Sequence, residues 1–313
     1  LFFPIMMFGM IVTQMGQAAA SADRIFEILD ATSDIVDKPN APKLPAVKGD
    51  VKFENVTFRY VGGGDPVLKN VTFEAKSGET IGYDFLVVAA GLELDWDGVK
   101  GLASAVGRNE VCSNYSYDHV DYTWQTIKNF KGGTALFTMP PPPIKCAGAP
   151  QKIAYLADDA FRKQGVRDAS KIIYAAGTPG IFAVPDYAKT LNAVIERKGI
   201  DARYQHVLVE LRPDAKQAVF EDRANDNAEV VIDYDMIHVT PPQRAPQVVR
   251  ESPLANEGGW LDVDKNTLQS PRFPNVFAIG DASSLPTSKT GAAIRKQAPV
   301  LVENLLASIE GRG

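Results

Sequence analysis

The residues with the clearest capacity for chemistry lie in one stretch, residues 139–156, which reads MPPPPIKCAGAPQKIAYL. A proline run delivers the chain to Cys146, and Ala147, Gly148 and Ala149 allow close backbone approach beside the sulfur. Gln151 to Leu156 then begins a helical pattern. A thiol just ahead of a helix start meets unpaired N–H groups and the positive end of the dipole. Both favour the thiolate, the nucleophilic and redox-active form. The competing reading is a small buried hydrophobe, since free cysteine is among the most buried residue types. The other cysteine, Cys112, is a candidate second redox sulfur, with packing as its alternative. Gly280–Asp281 follows the apolar run VFAI. A glycine there lets a ligand approach the backbone, and the carboxylate can accept hydrogen bonds from ligand hydroxyls. The same Asp281 could instead cap a helix within DASSLPTSKT. Gly91 closes a second apolar run, FLVVAA. Lys289 stands at the start of the last helical pattern, either as a cation facing a developing anion or as a solvated lysine.

The elements that position these residues follow from periodicity. Residues 85–90 and 275–279 read as buried parallel strands, as do 135–138 and 171–176. Helical patterns cover 117–130, 152–164 and 185–198, the last with Pro185 at its start and Gly199 after its end. Residues 204–211, 218–220 and 229–239 are strand-like. The helix over 290–310 contains Pro299, so a kink or break is expected there. Strands alternating with helices imply an α/β fold with doubly wound parallel sheets.

Composition narrows the function. The chain has 313 residues, 45% hydrophobic and 23% charged, enough to bury the cores of two domains. A net charge of −5 argues against nucleic acid as a partner. Two cysteines make no disulfide scaffold, and none of the three histidines stands in metal-ligand spacing with them, so no metal is expected.

The first 82 residues have a different character. LFFPIMMFGMIVT is apolar, and helical spacing continues to Asp30, which reads as the end of a membrane helix. KPNAPKLPAVK is a connector. DVKFENVTFRY alternates as a strand with a slip at Glu54–Asn55, and VLKNVTFEA is a second strand.

Two resemblances account for these halves. From Tyr83 onward, YDFLVVAAGLELDW, CSNYSYDHVDYTW, PIKCAGAPQKIAYLADD, IIYAAGTPGIFAV, YDMIHVTPPQRAP and NVFAIGDASSLPTSKTGAAIRKQ resemble, in order, the sulfide:quinone oxidoreductases. These are flavoproteins of the pyridine nucleotide–disulfide oxidoreductase superfamily. Residues 1–82, with SADRIFEILD, GDVKFENVTFRY and VLKNVTFEAKSGETIG, resemble the last membrane helix of an ABC exporter and the start of its nucleotide-binding domain.

The resemblance implies a Rossmann-like FAD/NAD(P)-binding two-domain flavoprotein with an incomplete first domain. The implied segments are 1–48, membrane-helix end and linker; 49–82, start of a nucleotide-binding domain; 83–132 with 241–313, the FAD domain; and 133–240, a second Rossmann-like domain. It implies FAD as cofactor, sulfide and quinone as substrates, and peripheral association with the cytoplasmic side of a membrane. Cys146 becomes the redox cysteine, Gly91, Gly280 and Asp281 the FAD contacts, and Lys289 a cation at the flavin or quinone. In the ABC family the aromatic at the Tyr60 position stacks on adenine; otherwise Tyr60 caps a strand edge.

The sequence also departs from both patterns. No G-x-x-x-x-G-K-[ST] phosphate loop occurs in it, so ATP hydrolysis has no carrier. No GxGxxG occurs either, so NAD binding has no support and FAD would lack its pyrophosphate cradle. The family's second redox cysteine and its amphipathic docking helices belong to a segment that would follow residue 313. The change at Gly82–Tyr83 is abrupt, which reads as a chimera of 82 and 231 residues (313 − 82).

Overall fold

A computed structural model describes residues 2–31, 38–42, 49–59 and 64–312. The chain divides into two compact units, Leu1–Gly82 and Tyr83–Gly313.

In the first unit, helix α1 (Phe2–Leu29) runs uninterrupted. No helix among the described residues is long and apolar enough to cross a membrane. Strands β1 (Val51–Phe58) and β2 (Leu68–Ala75) pair antiparallel, with register shifts on both sides of Val56. Asn55, at φ 52°, is where the alternation of the sequence slips. Phe53 and Phe73 stack across the pair at 4.5 Å. Tyr60 lies outside the described residues.

The second unit opens with β3 (Leu86–Val88) and β4 (Glu93–Leu94), then the short helix α2 (Leu102–Ala105). Its centre is a five-stranded parallel sheet. The strands are β5 (Val111–Cys112), β6 (Gly133–Met139), β7 (Ser170–Ala176), β8 (Asp201–Tyr204) and β12 (Met236–His238), in the order β5-β12-β6-β7-β8. Helices α3 (Val120–Asn129), α4 (Ala149–Lys163) and α5 (Pro185–Lys198) alternate with these strands along the chain. Strands β9 (His206–Arg212), β10 (Gln217–Asp222) and β11 (Ala228–Asp233) form an antiparallel sheet. Further along come β13 (Gln243–Arg244), α6 (Gln247–Arg250), β14 (Val276–Ala278) and α7 (Gly291–Ile309). β13 pairs antiparallel with β4, and β14 pairs parallel with β3.

Three of these elements differ from the sequence reading. Residues 229–239 are two strands in different sheets. Tyr234 N–H donates to the Lys216 carbonyl, while Asp235 N–H donates to Thr134, whose own N–H returns to Asp235 Oδ2 at 2.7 Å. Those opposed ties turn the chain from β11 into β12. Residues 204–211 likewise break at Gln205, which takes φ 58°. Helix α7 runs on through Pro299 without a break.

Apolar burial explains why this unit holds together. One cluster joins Phe137, Ile172 and Tyr174 to α4 through Ala157 and Phe161, and includes Cys112. A second joins Leu136, Ile173 and Ile237 to Phe220 of β10. Alternate residues of β6 and β7 thus enter opposite cores, as the pleat requires. A third gathers Phe277, Ala278, Leu261 and Leu301 around β14.

Candidate active site

The site is built on the carboxyl ends of parallel strands, where open α/β sheets leave a crevice. β3 and β14 end together: Val88 pairs with Ala278, and Ile279 N–H donates to the Val88 carbonyl at 3.1 Å. Just beyond these ends stand Gly91 at φ +75° and Gly280 at φ +72°, left-handed positions that favour glycine. A Cβ at Gly91 would meet nothing within 4 Å, so the backbone there borders open space. Asp281 Oδ1 is buried without a hydrogen-bond partner. That free acceptor suits a hydroxyl-bearing ligand. Gly280 N–H is already engaged, donating to Gln297 Oε1 at 3.0 Å, while Gln297 Nε2 donates to Thr287. What this corner of the site offers a ligand is therefore one free carboxylate oxygen beside two partly exposed turns of backbone.

Cys146 reaches the same place by another route. β6 ends at Met139, and the proline run turns across the end of β7, where a Cβ on Gly177 would lie 2.7 Å from Pro141 Cδ. Cys146 takes φ 51°, an uncommon conformation for a residue with a Cβ, and its carbonyl accepts Ala149 N–H at 2.8 Å as α4 begins. Cys146 N–H donates to the Lys289 carbonyl at 3.1 Å. The neighbouring Lys145 N–H donates to Gln243 Oε1 at 2.6 Å. The sulfur's loop is thus pinned both to the segment after Asp281 and to β13. A cavity of about 320 Å³, lined by Met139, Pro142, Ala147, Ile181, Phe182 and Ser288 among others, adjoins it.

Lys289 is placed differently from a free cation. Its ammonium donates to the carbonyls of Asp281 at 2.6 Å and Ser283 at 3.1 Å and lies 3.8 Å from the Trp260 ring centroid. Burial pushes its pKa down to about 8. With two carbonyls and a ring around its ammonium, the residue holds the 281–283 turn. Cys112 is fully buried at the end of β5, and burial pushes its thiol up to about 12. A thiol in that state is a weak nucleophile at neutral pH. Both cysteines are free.

Sequence reasoning missed Tyr115, Thr240 and Gln243. They follow the ends of β5 and β12, and β12 lies between β5 and β6. Strand order is the signal that would have found them, and it becomes visible only once pairing is known. His238 is buried and neutral: Nε2 accepts Asn114 N–H at 3.0 Å, and burial pushes its pKa down to about 4. Among the described residues no cluster of three or more His, Cys, Asp or Glu could hold a metal ion.

This arrangement is the α/β fold of the two-domain FAD/NAD(P)-binding oxidoreductases. The sulfide-quinone oxidoreductase of Aquifex aeolicus shares it with a TM-score of 0.62 at 18% identity, over 77% of this chain and 58% of that one. In sequence, residues 83–313 resemble the sulfide:quinone oxidoreductases. The mitochondrial enzyme of Mus musculus is 47% identical over 225 residues, which is 72% of this chain and 50% of that protein. The chain spans about half the length of the curated sulfide:quinone oxidoreductases it matches. Residues 1–82 resemble ABC transporters; an uncharacterized ABC transporter ATP-binding protein of Bacillus subtilis is 41% identical over 80 residues, 26% of this chain and 14% of that one. No family model matches the chain.

Proposed function

We propose that residues 83–313 form the sulfide-oxidising part of an FAD-dependent sulfide:quinone oxidoreductase. The observation that carries this reading is the Cys146–Lys289 backbone hydrogen bond. It ties the accessible sulfur to the turn bearing Asp281's unpaired acceptor. Gly91, Gly280 and Asp281 would hold the flavin's hydroxylated chain, with Lys289 and Gln297 fixing the turn that carries them. Cys146 thiolate and hydrosulfide join through a new S–S bond, giving a persulfide and releasing one proton and two electrons. Bound FAD would be the two-electron acceptor that this oxidation requires, with quinone as the final acceptor. Quinone is lipid-soluble, so the working site would sit against a membrane surface.

The sequence offers no glycine loop for the pyrophosphate, whose amides contribute on the order of 1.5–3 kcal/mol each. FAD should therefore titrate into this 313-residue chain with micromolar or weaker affinity, at about 1.4 kcal/mol per decade. Quenching of flavin fluorescence tests this. Saturable quenching that Asp281→Ala abolishes supports the assignment; quenching indifferent to Asp281→Ala would overturn it.

We also infer that the chain is a fusion of two ancestries. The boundary between the compact units falls at Gly82–Tyr83, where the resemblance changes. A single transcript read across codons 75–90 supports a real fused gene; reads that stop at the junction would contradict it.

A further inference from the structure

Three polar atoms in the loops around Cys146 are buried without a hydrogen-bond partner: Tyr115 Oη, Thr240 Oγ1 and Gln243 Nε2. Thr240 and Gln243 expose 2% and 9% of their surface. Such groups are uncommon, because burial strips their water and returns nothing. Their placement is not scattered. Tyr115 follows β5, Thr240 follows β12, and the Cys146 loop follows β6, three strands side by side. Tyr115 is held from behind: its N–H donates to Ser113 Oγ at 3.2 Å, and that hydroxyl donates to the Val239 carbonyl at 2.7 Å. Lys145, next to Cys146, sets its ammonium 5.6 Å from the centroid of the Tyr115 ring. Gln243 accepts the Lys145 N–H with one arm of its amide, leaving the other free beside the same loop.

We propose that Tyr115 is a positioning residue for the Cys146 sulfur: its hydroxyl, with the Thr240 hydroxyl beside it, receives negative charge there, on the thiolate before sulfide adds and on the persulfide after. The proposal rests on the reading of Cys146 as the sulfide-reacting residue. Tyr115 and Thr240 interact side by side without closing a well-formed hydrogen bond on each other, so both hydroxyls are already desolvated and can turn to charged sulfur at little cost. The Tyr115 phenol is pushed up to about 12, first by burial, against the lowering pull of the Thr240 side chain and with a further push from Cys146, so it keeps its proton across the working range.

The test is peptide-resolved alkylation of the full chain by iodoacetamide, read against pH by mass spectrometry. The titratable groups in the segments tied to the sulfur's loop are Tyr115, Lys145, Asp281 and Lys289, and only Tyr115 is changed. Tyr115→Phe should slow labelling of Cys146 at pH 7 about tenfold and move its rate–pH profile to higher pH. 3-Fluorotyrosine at position 115, a more acidic donor that keeps the shape of the ring, should move the profile to lower pH. Profiles that overlay the wild type would overturn the proposal. Profiles that move the same way in both variants would overturn it too, because that is the signature of disturbed packing. Opposite shifts without any sulfur added to Cys146 by sulfide would uphold the hydrogen bond and sink the sulfide reading instead.

Discussion

Phe73 and Phe161 each stack on a second phenylalanine at nearly the same separation, 4.5 Å in the first unit and 4.6 Å in the second. Phe73 keeps 47% of its surface in water, whereas Phe161 keeps none. The difference lies in what surrounds the pair. Among the described residues no buried side chain backs the two antiparallel strands, so their apolar face stays at most half-covered. In the second unit helix α4 covers the sheet, and Phe161 packs in a cluster of buried residues that includes Phe130, Phe137 and Ala157. Equal local chemistry therefore comes with unequal burial. Among the described residues the buried apolar side chains lie between Val99 and Leu301, all in the second unit. The candidate site lies in the same unit, where packing can hold a loop in an uncommon conformation such as that of Cys146.

The largest test of this contrast is Phe161→Ala, which should cost the second unit about 3–5 kcal/mol in chemical denaturation. A loss below 1 kcal/mol would break the comparison at its strong end. Acid sharpens it next. His238 stays neutral in the folded state down to about pH 4, while an unfolded histidine gains its proton near pH 6.5. The unfolded chain thus binds the extra proton between those limits, and stability falls as pH is lowered through them, by about 3 kcal/mol in all. His238→Phe should flatten that slope; an unchanged slope would assign the acid sensitivity elsewhere. A smaller effect is expected from Gly177→Ala, because its Cβ must displace Pro141. It should cost about 1–3 kcal/mol and also slow labelling of Cys146, since the proline run carries that residue. Smallest of all, Phe73→Ala should leave unfolding of the second unit within about 0.5 kcal/mol of wild type. A shift as large as that of Phe161→Ala would show that the two units unfold as one.

The helix over 185–198 and the strands of the parallel sheet were legible because their burial is decided locally: one face or both faces apolar, with glycine or proline at the ends. The strand breaks at Gln205 and Tyr234–Asp235 were not. Both sides of each break have strand-forming composition, and only partners far along the chain assign them to different sheets. The site divides in the same way. Cys146, Gly280 and Asp281 are singled out as candidates by their immediate neighbours alone. Tyr115 and Thr240 look like ordinary loop residues until β12 is found between β5 and β6. Lys289 shows the reverse relation, read from sequence either as a cation facing a ligand or as a solvated lysine. Its position before a helix suggests a cation facing a ligand, but the Asp281 and Ser283 carbonyls and the Trp260 ring claim it.

The central claim is that Cys146 is where sulfide is oxidised, and it is most directly tested by locating the sulfur. The full chain would be saturated with FAD, given sulfide without oxygen, trapped with an alkylating reagent and read peptide by peptide. The account predicts one additional sulfur on the peptide carrying Cys146, bleaching of the flavin band in step with it, and neither in Cys146→Ser. Bleaching that persists in Cys146→Ser, or an added sulfur found on Cys112, would contradict it.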